Sequence, residues 1–528
     1  MRILIGFLFS LLAAASAAQM QQPHVDYWDD AKKFIKERGS YLNGVEDGKW
    51  EYFYRSGKLQ EIIPFTRGYI NGTVTSYYEN GNKRTEGRFV FGVKDSLFEA
   101  WHENGKIAER GFYRKGSKTG YWEFFYPNGI EQKMESHTDN QLLLLKARKP
   151  NGELTLEKGS GTAYEYFEND SIRKITHYNG GLPDGEWTEY HRNGKLAAKG
   201  SYNEGMRHGE WVQYYSTGEV KTIYNYVNDQ LTGPCMEKVN PGRLNFEGSF
   251  LNDEKIGAWT WYFASGSIEM TGFFKENEQD GNWTWYYPSG KKQTEGEYKM
   301  GVKDGEWAYY YENGVKEKEG VYKNDKRIGR WIYRFETGDK SQEGSFVDDL
   351  EEKEWMSWYP GNKIKDVGSF LNGQPHGVWE GKYENQKLRY RGNWDKGQMN
   401  GKWERYHENG KLKEEGSYKA GLKEGEWKEY YAVNGNLMTK GPYKNNVQDG
   451  KWQYFEGTGV LVEERSYSDG RLNGKSRQYG EDGSLTLECN YRDNKLDGRY
   501  TVYRKGKPFK EIVYENGKKV SENRLDQK

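Results

Sequence analysis

The sequence predicts an all-β fold: an elongated, twisted, single-layer antiparallel β-meander of about nineteen hairpin repeats, each 24 residues long. The first observation behind this prediction is a 24-residue period marked by a tryptophan, as in the segment DGEW at 304–307. The second is an Asn-Gly, Ser-Gly, Thr-Gly or Asp-Gly pair six and seven residues later, which is typical of a β-hairpin. The third is composition: aromatic residues are 16% of the chain and all hydrophobic residues only 34%, so rings must supply much of the core.

The period defines the units once the tryptophan of DGEW is taken as position 0. Units follow one another at 24 residues, except for one step of 25 within YYAVNGN and one step of 41 between Trp122 and Ala163, an insertion of 17. A half-unit, RGSYLNG at 38–44, precedes the first complete one. The residues at position 0 are Trp50, Val74, Phe98, Trp122, Ala163, Trp187, Trp211, Cys235, Trp259, Trp283, Trp307, Trp331, Trp355, Trp379, Trp403, Trp427, Trp452, Ser476 and Tyr500.

Each unit is predicted to be one hairpin with a two-residue type I′ turn, as at Asn313 and Gly314. Across such a turn, two residues pair when their position numbers add up to 13. The tryptophan at position 0 therefore faces position 13, which is usually glycine. The glycine usual at position −2 then faces the aromatic residue at position 15. We expect each ring to lie over the glycine opposite it within its own hairpin. Because side chains two apart share a face, the tyrosines common at position 3 point to the other face.

Composition divides the chain into five segments. These are a signal peptide at 1–18, an N-terminal cap or linker at 19–37, a first repeat block at 38–137, an insertion at 138–154 and a second repeat block at 155–528. The pattern of residues 26–37 indicates a short helix that covers the first strand edge. An apolar run after Arg2 and the small residues at 15–17 indicate a secretory signal with its cleavage site. We therefore expect an exported, periplasmic or extracellular protein, with no transmembrane segment in the mature chain.

Charge and motif content argue against several classes of function. The chain has 79 basic and 79 acidic residues, which leaves no electrostatic footprint for nucleic acid or an anionic membrane surface. No nucleophile elbow, P-loop or dinucleotide fingerprint is present, and repeat slots account for most of the 8 histidines. We predict no enzyme activity and no catalytic, cofactor-binding or metal-binding residue. Cys235 and Cys489 lie ten units apart, on the order of 95 Å along such a ribbon, so they are predicted to be unpaired.

The repeat resembles the MORN-repeat variant family. The shared pattern is G-x-W-x-x-Y-Y-x-x-N-G-K-L-x-x-E-G-x-Y-x-x-G, present here as GKWERYHENGKLKEEGSYKAG at 401–421. The resemblance covers nearly the whole mature chain and is specific because the pattern recurs nineteen times. It implies an all-β hairpin array, of bacterial origin, that binds or scaffolds other molecules. Some members of this family carry an antitoxin label, and the family brings no catalytic residues.

These features favour a non-enzymatic repeat scaffold that mediates protein–protein association at the cell envelope or extracellularly. Tyrosine is enriched at binding surfaces, so the outward tyrosines of position 3 are the candidate binding residues. They are Tyr190, Tyr214, Tyr262, Tyr286, Tyr310, Tyr406 and Tyr430. One alternative is a carbohydrate- or cell-surface-binding protein, because aromatic ladders stack on sugar rings; another is an antitoxin-like protein. Two further alternatives stay open: the tyrosines only shield the sheet, or the insertion at 138–154 builds an enzyme site or a docking patch.

Overall fold

The computed structural model describes residues 21–138 and 141–525, so the predicted signal peptide at 1–18 lies outside the described residues. The described residues form 48 β-strands and no helix. They fall into two compact units, divided between Glu254 and Lys255. The prediction of an all-β hairpin array is therefore confirmed.

The first unit contains strands β1 (Gln21–Tyr27), β2 (Ile35–Leu42), β3 (Val45–Phe53), β4 (Leu59–Thr66), β5 (Tyr69–Ile70), β6 (Gly72–Tyr77), β7 (Lys83–Val90), β8 (Val93–Trp101), β9 (Ile107–Arg114), β10 (Ser117–Phe125), β11 (Glu131–His137), β12 (Leu142–Arg148), β13 (Leu154–Glu157), β14 (Ser160–Tyr166), β15 (Ile172–Asn179), β16 (Leu182–Tyr190), β17 (Leu196–Asn203), β18 (Met206–Tyr214), β19 (Val220–Val227), β20 (Gln230–Leu231), β21 (Gly233–Asn240) and β22 (Arg243–Leu251).

The second unit contains strands β23 (Glu254–Tyr262), β24 (Ile268–Lys275), β25 (Glu278–Gln279), β26 (Gly281–Tyr286), β27 (Lys292–Lys299), β28 (Val302–Tyr310), β29 (Lys316–Lys323), β30 (Lys326–Arg334), β31 (Lys340–Val347), β32 (Leu350–Tyr359), β33 (Lys363–Leu371), β34 (Gln374–Lys382), β35 (Leu388–Asp395), β36 (Gln398–Tyr406), β37 (Leu412–Lys419), β38 (Leu422–Tyr430), β39 (Leu437–Lys444), β40 (Val447–Gln448), β41 (Gly450–Phe455), β42 (Leu461–Ser468), β43 (Arg471–Leu472), β44 (Gly474–Tyr479), β45 (Leu485–Arg492), β46 (Lys495–Arg504), β47 (Lys507–Glu515) and β48 (Lys518–Arg524).

Each unit is a meander in which successive strands pair antiparallel, as β27, β28 and β29 do. In several repeats a bulge splits the first strand of the hairpin in two pieces. Both pieces then pair with the strand before them, as β25 and β26 pair with β24. Each hairpin thus adds two strand positions to the sheet, which is what the 24-residue period requires.

The predicted register and core face are correct. Trp307 pairs with Gly320 and Gly305 pairs with Tyr322, as partners that sum to 13 require. The ring of Tyr298 lies 5.2 Å from that of Trp307, edge to face at 84°, so the two aromatic slots share a face. The tryptophans that are at most 4% exposed are Trp50, Trp122, Trp259, Trp283, Trp307, Trp331, Trp355, Trp403, Trp427 and Trp452.

The predicted turn type is wrong, although the register it was used to derive is right. Tyr311 N donates to Val315 O at 2.9 Å and Gly314 N to Tyr311 O at 2.8 Å, which closes a loop of three residues. Within this loop only Gly314 has a positive φ, 94°. A bulge between Tyr309 and Tyr310 compensates for the extra loop residue, so the pairs beyond it again sum to 13.

Asparagine has a different role in this loop from the one predicted. The Asn313 Oδ1 atom accepts from Val315 N at 2.9 Å, which fixes the loop from inside. The Asn313 Nδ2 atom donates to Glu336 O at 2.8 Å, in the loop of the next hairpin. Asn193, Asn385 and other asparagines of this slot make the same bond to the following loop, so the side chain links neighbouring hairpins.

The tryptophan ring packs on a different glycine from the predicted one. A Cβ added to Gly296 would lie 2.1 Å from Cδ2 of Trp307, so the ring covers the glycine of the preceding hairpin. The Trp307 Nε1 atom donates to Glu297 O at 3.1 Å, also in the preceding hairpin. The register shifts between Gly296 and Tyr298, and the acceptor lies at that bulge. Because the ring nitrogen finds its acceptor on this side only, the ring leans toward the earlier strand.

The glycine of position −2 also has a different function from the predicted one. At Gly281 and Gly401 an added Cβ would meet no heavy atom within 4 Å, so no ring lies over them. Their φ values are 74° and 76°, which a side chain would strain. Position −2 therefore requires glycine because the backbone has a positive φ at the bulge. Position 13 requires glycine because a side chain there would collide with the tryptophan ring.

The helix predicted within 26–37 is absent, because strands β1 and β2 take up both ends of this segment. His24 of β1 pairs with Gly39 of β2, and its ring lies 5.4 Å from that of Trp50. The Asp29 carboxylate accepts from the main-chain N of Lys33 and of Phe34, at 3.0 and 2.9 Å, and so shapes the connection. Strand β1 thus extends the sheet and covers the ring of Trp50. The short apolar pattern of 26–37 did not predict this strand.

The described part of the insertion, residues 141–154, contributes strand β12 and the first residue of β13 to the sheet. Its leucines form strand β12, which pairs with β11 and β13, instead of lying over the sheet. Leu144 is buried with Ala147 and Leu156, whereas Leu142 is 53% exposed. Leu144 N also donates to Gly181 O at 2.9 Å, which ties the insertion to the following repeat.

The two cysteines lie in different units, Cys235 in the first and Cys489 in the second. Both are buried, and neither forms a disulfide, as predicted. Burial raises the pKa of the Cys489 thiol.

We expect Gly320→Ala to lower stability by about 1–3 kcal/mol, because its Cβ would meet Cδ2 of Trp331 at 2.2 Å. Gly457→Ala is the matched control, since its Cβ would meet only Asn434 Nδ2, at 3.8 Å. Urea unfolding followed by tryptophan fluorescence will show a lower midpoint for the first variant and an unchanged one for the second. Equal midpoints for the two variants would contradict the packing described.

Candidate functional site

Hydrogen bonds along the turn edge account for the histidines of position 4. Tyrosine is the usual residue at position 4. The hydroxyl of Tyr287, one of these tyrosines, donates to Tyr310 O in the next hairpin at 2.7 Å. His102, His191 and His407 make the corresponding bonds through Nε2, at 2.8, 3.0 and 3.1 Å. Among residues 21–138 and 141–525, no group of three His, Cys, Asp or Glu side chains is placed to hold a metal ion.

Each of the seven predicted tyrosines is the last residue of its strand and is half-buried. They therefore lie beside the turns, at the edge of the sheet rather than along its centre. In the first unit they are Tyr190 and Tyr214; in the second they are Tyr262, Tyr286, Tyr310, Tyr406 and Tyr430. Arg334, Trp358 and Lys382 occupy the same slot between Tyr310 and Tyr406, so the predicted row is interrupted.

Several of these tyrosines hydrogen-bond to glutamates on the face opposite the tryptophans. Tyr310 OH donates to the Glu295 carboxylate, and Tyr430 OH to Glu415 Oε1 at 2.8 Å. Tyr406 OH donates to Glu404 Oε2 at 3.0 Å. Burial and then these bonds raise the pKa of Tyr310 and of Tyr430.

A groove of about 710 Å³ lies on this same face of the second unit. It crosses the hairpins of Trp283, Trp307 and Trp331. Its lining residues are Asn282, Trp283, Thr284, Glu295, Gly296, Glu297, Glu306, Trp307, Ala308, Lys316, Glu319, Gly320, Val321, Arg330 and Ile332. We call this feature the acidic groove, because it contains four glutamates and only two basic residues.

Small residues at position 1 line the acidic groove in two of its three hairpins. Thr284 and Ala308 stand where later repeats carry Met356, Glu380 and Glu404. Tyr286 follows Thr284 by two residues on β26 and so points to the same face. Sequence reasoning missed the groove, although a comparison of position 1 between repeats contains the signal.

A smaller cavity of about 490 Å³ lies beside the insertion in the first unit. Leu144 and Tyr178 line it on its apolar side, and Glu135 on its polar side. Glu135 accepts from Lys133 Nζ at 2.6 Å and from His137 Nε2 at 2.9 Å. Burial raises the pKa of Glu135, but the bonds from these two residues lower it more. The charge buried here is therefore neutralised within the chain.

Comparison with known families identifies the repeat. Nine segments match the MORN repeat variant: residues 46–66, 70–90, 94–115, 183–204, 207–228, 279–300, 303–324, 399–420 and 423–445. The chain contains nine MORN repeat variants. The match at 303–324 contains most of β28 and all of β29, so one match corresponds to one hairpin. No curated protein matches the chain.

Several solved structures have a weak similarity to the chain. They include crystal structures of TcdB2-TccC3-Cdc42 and of TcdB2-TccC3, both with a TM-score of 0.13 and 10% identity. The Photorhabdus luminescens Tc holotoxin pore matches with a TM-score of 0.12 and 10% identity. These matches cover 94%, 96% and 93% of this chain, but the chain spans only about a third of theirs, 31%, 32% and 32%. TM-scores this low do not bear on function.

Glutamates of position 12 are the main electrostatic feature of this face. Glu295 pairs with Lys292 at 2.6 Å, Glu319 with Lys316 at 2.5 Å, and Glu343 with Lys340 at 2.8 Å. Burial raises the pKa of each of these carboxyls, but the hydrogen bonds lower it more, so each has a net lowered pKa.

We expect the urea midpoint to fall as the solution is acidified from about pH 7 to about pH 3. A carboxyl with a lowered folded pKa contributes stability that is complete above its unfolded value, near 4.5, and is lost as pH falls through the folded value. Each contribution is at most about 1 kcal/mol, because the pairs are partly exposed. The triple variant Glu295→Gln, Glu319→Gln, Glu343→Gln should show a flatter dependence on pH. An identical dependence in the variant would argue against these pairs.

Proposed function

We propose that this chain is a non-enzymatic repeat scaffold that mediates protein–protein association at the cell envelope or outside the cell. MORN repeat variants form its scaffold of hairpins. The observation that supports a binding role is the acidic groove, which spans three hairpins on the face opposite the tryptophan core. Aromatic residues, tyrosine among them, are enriched at protein interfaces. Tyr286 and Tyr310 flank the groove, so two of the seven candidate tyrosines belong to this proposed surface.

A role in protein binding accounts for the tyrosines better than sugar stacking does. Stacking on a sugar ring requires an exposed aromatic face, whereas all seven tyrosines are half-buried. Hydroxyls of Tyr310, Tyr406 and Tyr430 are engaged with glutamates. The rings are thus held in fixed positions, which suits a contact surface that loses little entropy on binding.

Export of the chain is part of the proposal and has its own test. Expression of the full chain in a bacterium should give an exported form whose mass corresponds to loss of residues 1–18. Leu12→Arg places a charge in the apolar run and should retain the full-length chain in the cytoplasm. Detection of an uncleaved wild-type chain in the cytoplasmic fraction only would refute export.

Filling the acidic groove should abolish association with partners and leave the fold intact. Thr284→Tyr puts a ring in the groove, at a strand position where tyrosine is favourable. Thr501→Tyr makes the same change in the same repeat slot, outside the groove. Affinity purification with mass spectrometry should recover a partner set with wild type and Thr501→Tyr that Thr284→Tyr loses. Unchanged urea midpoints for both variants establish that the fold is retained. Recovery of the same proteins by all three chains would contradict a binding role for the groove.

A further inference from the structure

The cavity beside the insertion lies where the row of buried tryptophans is interrupted. Position 0 of this repeat is Ala163, which lines the cavity. At Val74 and Cys235, which also lack the ring, the preceding position 13 has the large side chain of Ile63 or Tyr224 in place of glycine. Ala163 instead follows the short strand β13, and a cavity of about 490 Å³ remains. An apolar cavity of about 150 Å³ binds benzene, so this one has room for a two-ring molecule.

The apolar wall of the cavity consists of side chains from the insertion and from the repeat that follows it. Leu144, Ala147 and Leu156 form a buried cluster, and Ala163 and Tyr178 pack against it. All of these residues except Leu156 line the cavity. Small-molecule sites in proteins are lined in this way, by apolar side chains with a few polar groups among them.

Main-chain hydrogen bonds fix this wall in position. Leu144 N donates to Gly181 O at 2.9 Å, Gly181 N to Gly159 O at 2.9 Å, and Gly159 N to Leu145 O at 3.0 Å. These bonds tie the strand of the insertion to the turns that precede and follow β14 and β15. The cavity is therefore preformed, and a ligand need not open it.

Three hydrogen-bond acceptors border the cavity. Tyr178 is half-buried, burial raises the pKa of its phenol to about 12, and its hydroxyl makes no hydrogen bond among the described residues. The carboxylates of Glu135 and Glu165 accept from Lys133 Nζ at 2.6 Å and pair with Lys174 Nζ at 2.7 Å, respectively. Each carboxylate keeps lone pairs for a further donor. A ligand with an N–H or O–H group therefore finds acceptors here, and it needs no charge of its own.

The regular repeats show which shape fits beside Tyr178. Tyr322 occupies the same slot, and the ring of Trp307 in its own hairpin lies 5.8 Å away, edge to face at 79°. Trp307 also donates a hydrogen bond through Nε1. In the part of the chain that the structure describes, the ring of Tyr178 contacts no other ring in this way. A planar aromatic molecule with one donor would make both contacts of the tryptophan that this repeat lacks.

We propose that this cavity binds a small, uncharged, planar aromatic molecule that has one N–H or O–H donor, as an indole or a phenol does. The aromatic ring lies against Leu144, Ala147 and Tyr178, and the donor reaches the carboxylate of Glu135 or the oxygen of Tyr178. The inference goes beyond the proposed scaffold function and does not depend on it, because the acidic groove belongs to the second unit.

Saturation-transfer NMR with indole as the probe tests binding to the full chain. Indole should receive magnetisation from the protein, and a titration gives its Kd. The comparison probe, 1-methylindole, has the same rings and no donor. It should bind about fivefold more weakly, which corresponds to one hydrogen bond of about 1 kcal/mol.

Two variants that fill the cavity test its location. Ala163→Trp restores the ring of the regular repeat and should abolish the indole signal, and Ala147→Phe should do the same from the side of the insertion. Ala258→Trp adds the same ring at an exposed strand residue outside the cavity, and should bind indole as the wild type does. Urea midpoints establish that each variant is folded.

Absence of saturation transfer from the wild-type chain to indole would overturn the inference. So would binding that persists in a folded Ala163→Trp or Ala147→Phe chain, or an equal loss in Ala258→Trp. Equal affinity for indole and 1-methylindole would contradict the polar contact, and this comparison needs no variant. N-Acetyltryptophanamide carries the ring on a peptide backbone. If this probe binds more tightly than indole, the occupant is a tryptophan side chain of a partner protein and not a free small molecule.

Discussion

The contact between each tryptophan and the preceding hairpin is the constraint on which the rest of the structure depends. The ring of Trp307 covers Gly296, and its Nε1 atom donates to Glu297 O at the adjacent bulge. An isolated hairpin has no partner for its ring, so a single repeat is marginal and stability arises between repeats. Asn313 adds a second connection of the same kind at the turn edge.

Much of this fold could be predicted from the sequence because a period fixes register. Trp307 and Gly320 are 13 residues apart, and this spacing predicts both their pairing and the two faces of the sheet. The prediction does not depend on the geometry of the turn. The turn type could not be predicted, because an Asn-Gly pair fits both a two-residue turn and the three-residue loop that ends at Gly314. The strand at 21–27 was also missed, since it has no repeat slot to align with.

The division of the sheet into two faces explains where a site can form. The tryptophan face is filled by ring packing, which leaves little freedom at positions 0, 13 and 15. The other face tolerates Thr284, Ala308, Ile332 and Met356 in one slot, so its shape varies along the chain. The acidic groove is lined by short side chains of this slot, Thr284 and Ala308, in two of its three hairpins. The groove was hard to predict because it depends on short side chains at the same position of neighbouring repeats. The sequence of a single repeat does not reveal it.

Substitutions within the chain indicate that the indole depends on the preceding glycine rather than on the one in its own hairpin. Trp187, which follows Thr176, is an exception and is only half-buried. Where position 0 has lost its ring, the position 13 residue before it is no longer glycine: Ile63 precedes Val74, Tyr224 precedes Cys235, and Arg465 precedes Ser476. Trp50 keeps its ring although Ile63 stands at position 13 of its own hairpin, because Gly39 lies on the other side. The same rule explains Glu135, a buried charge in a glycine slot. Strand β12 follows it in place of a repeat with tryptophan, so no ring arrives to exclude a side chain. The interruption at 138–154 thus frees one slot for a charged side chain, as the loss of the ring at Ser476 does for Arg465.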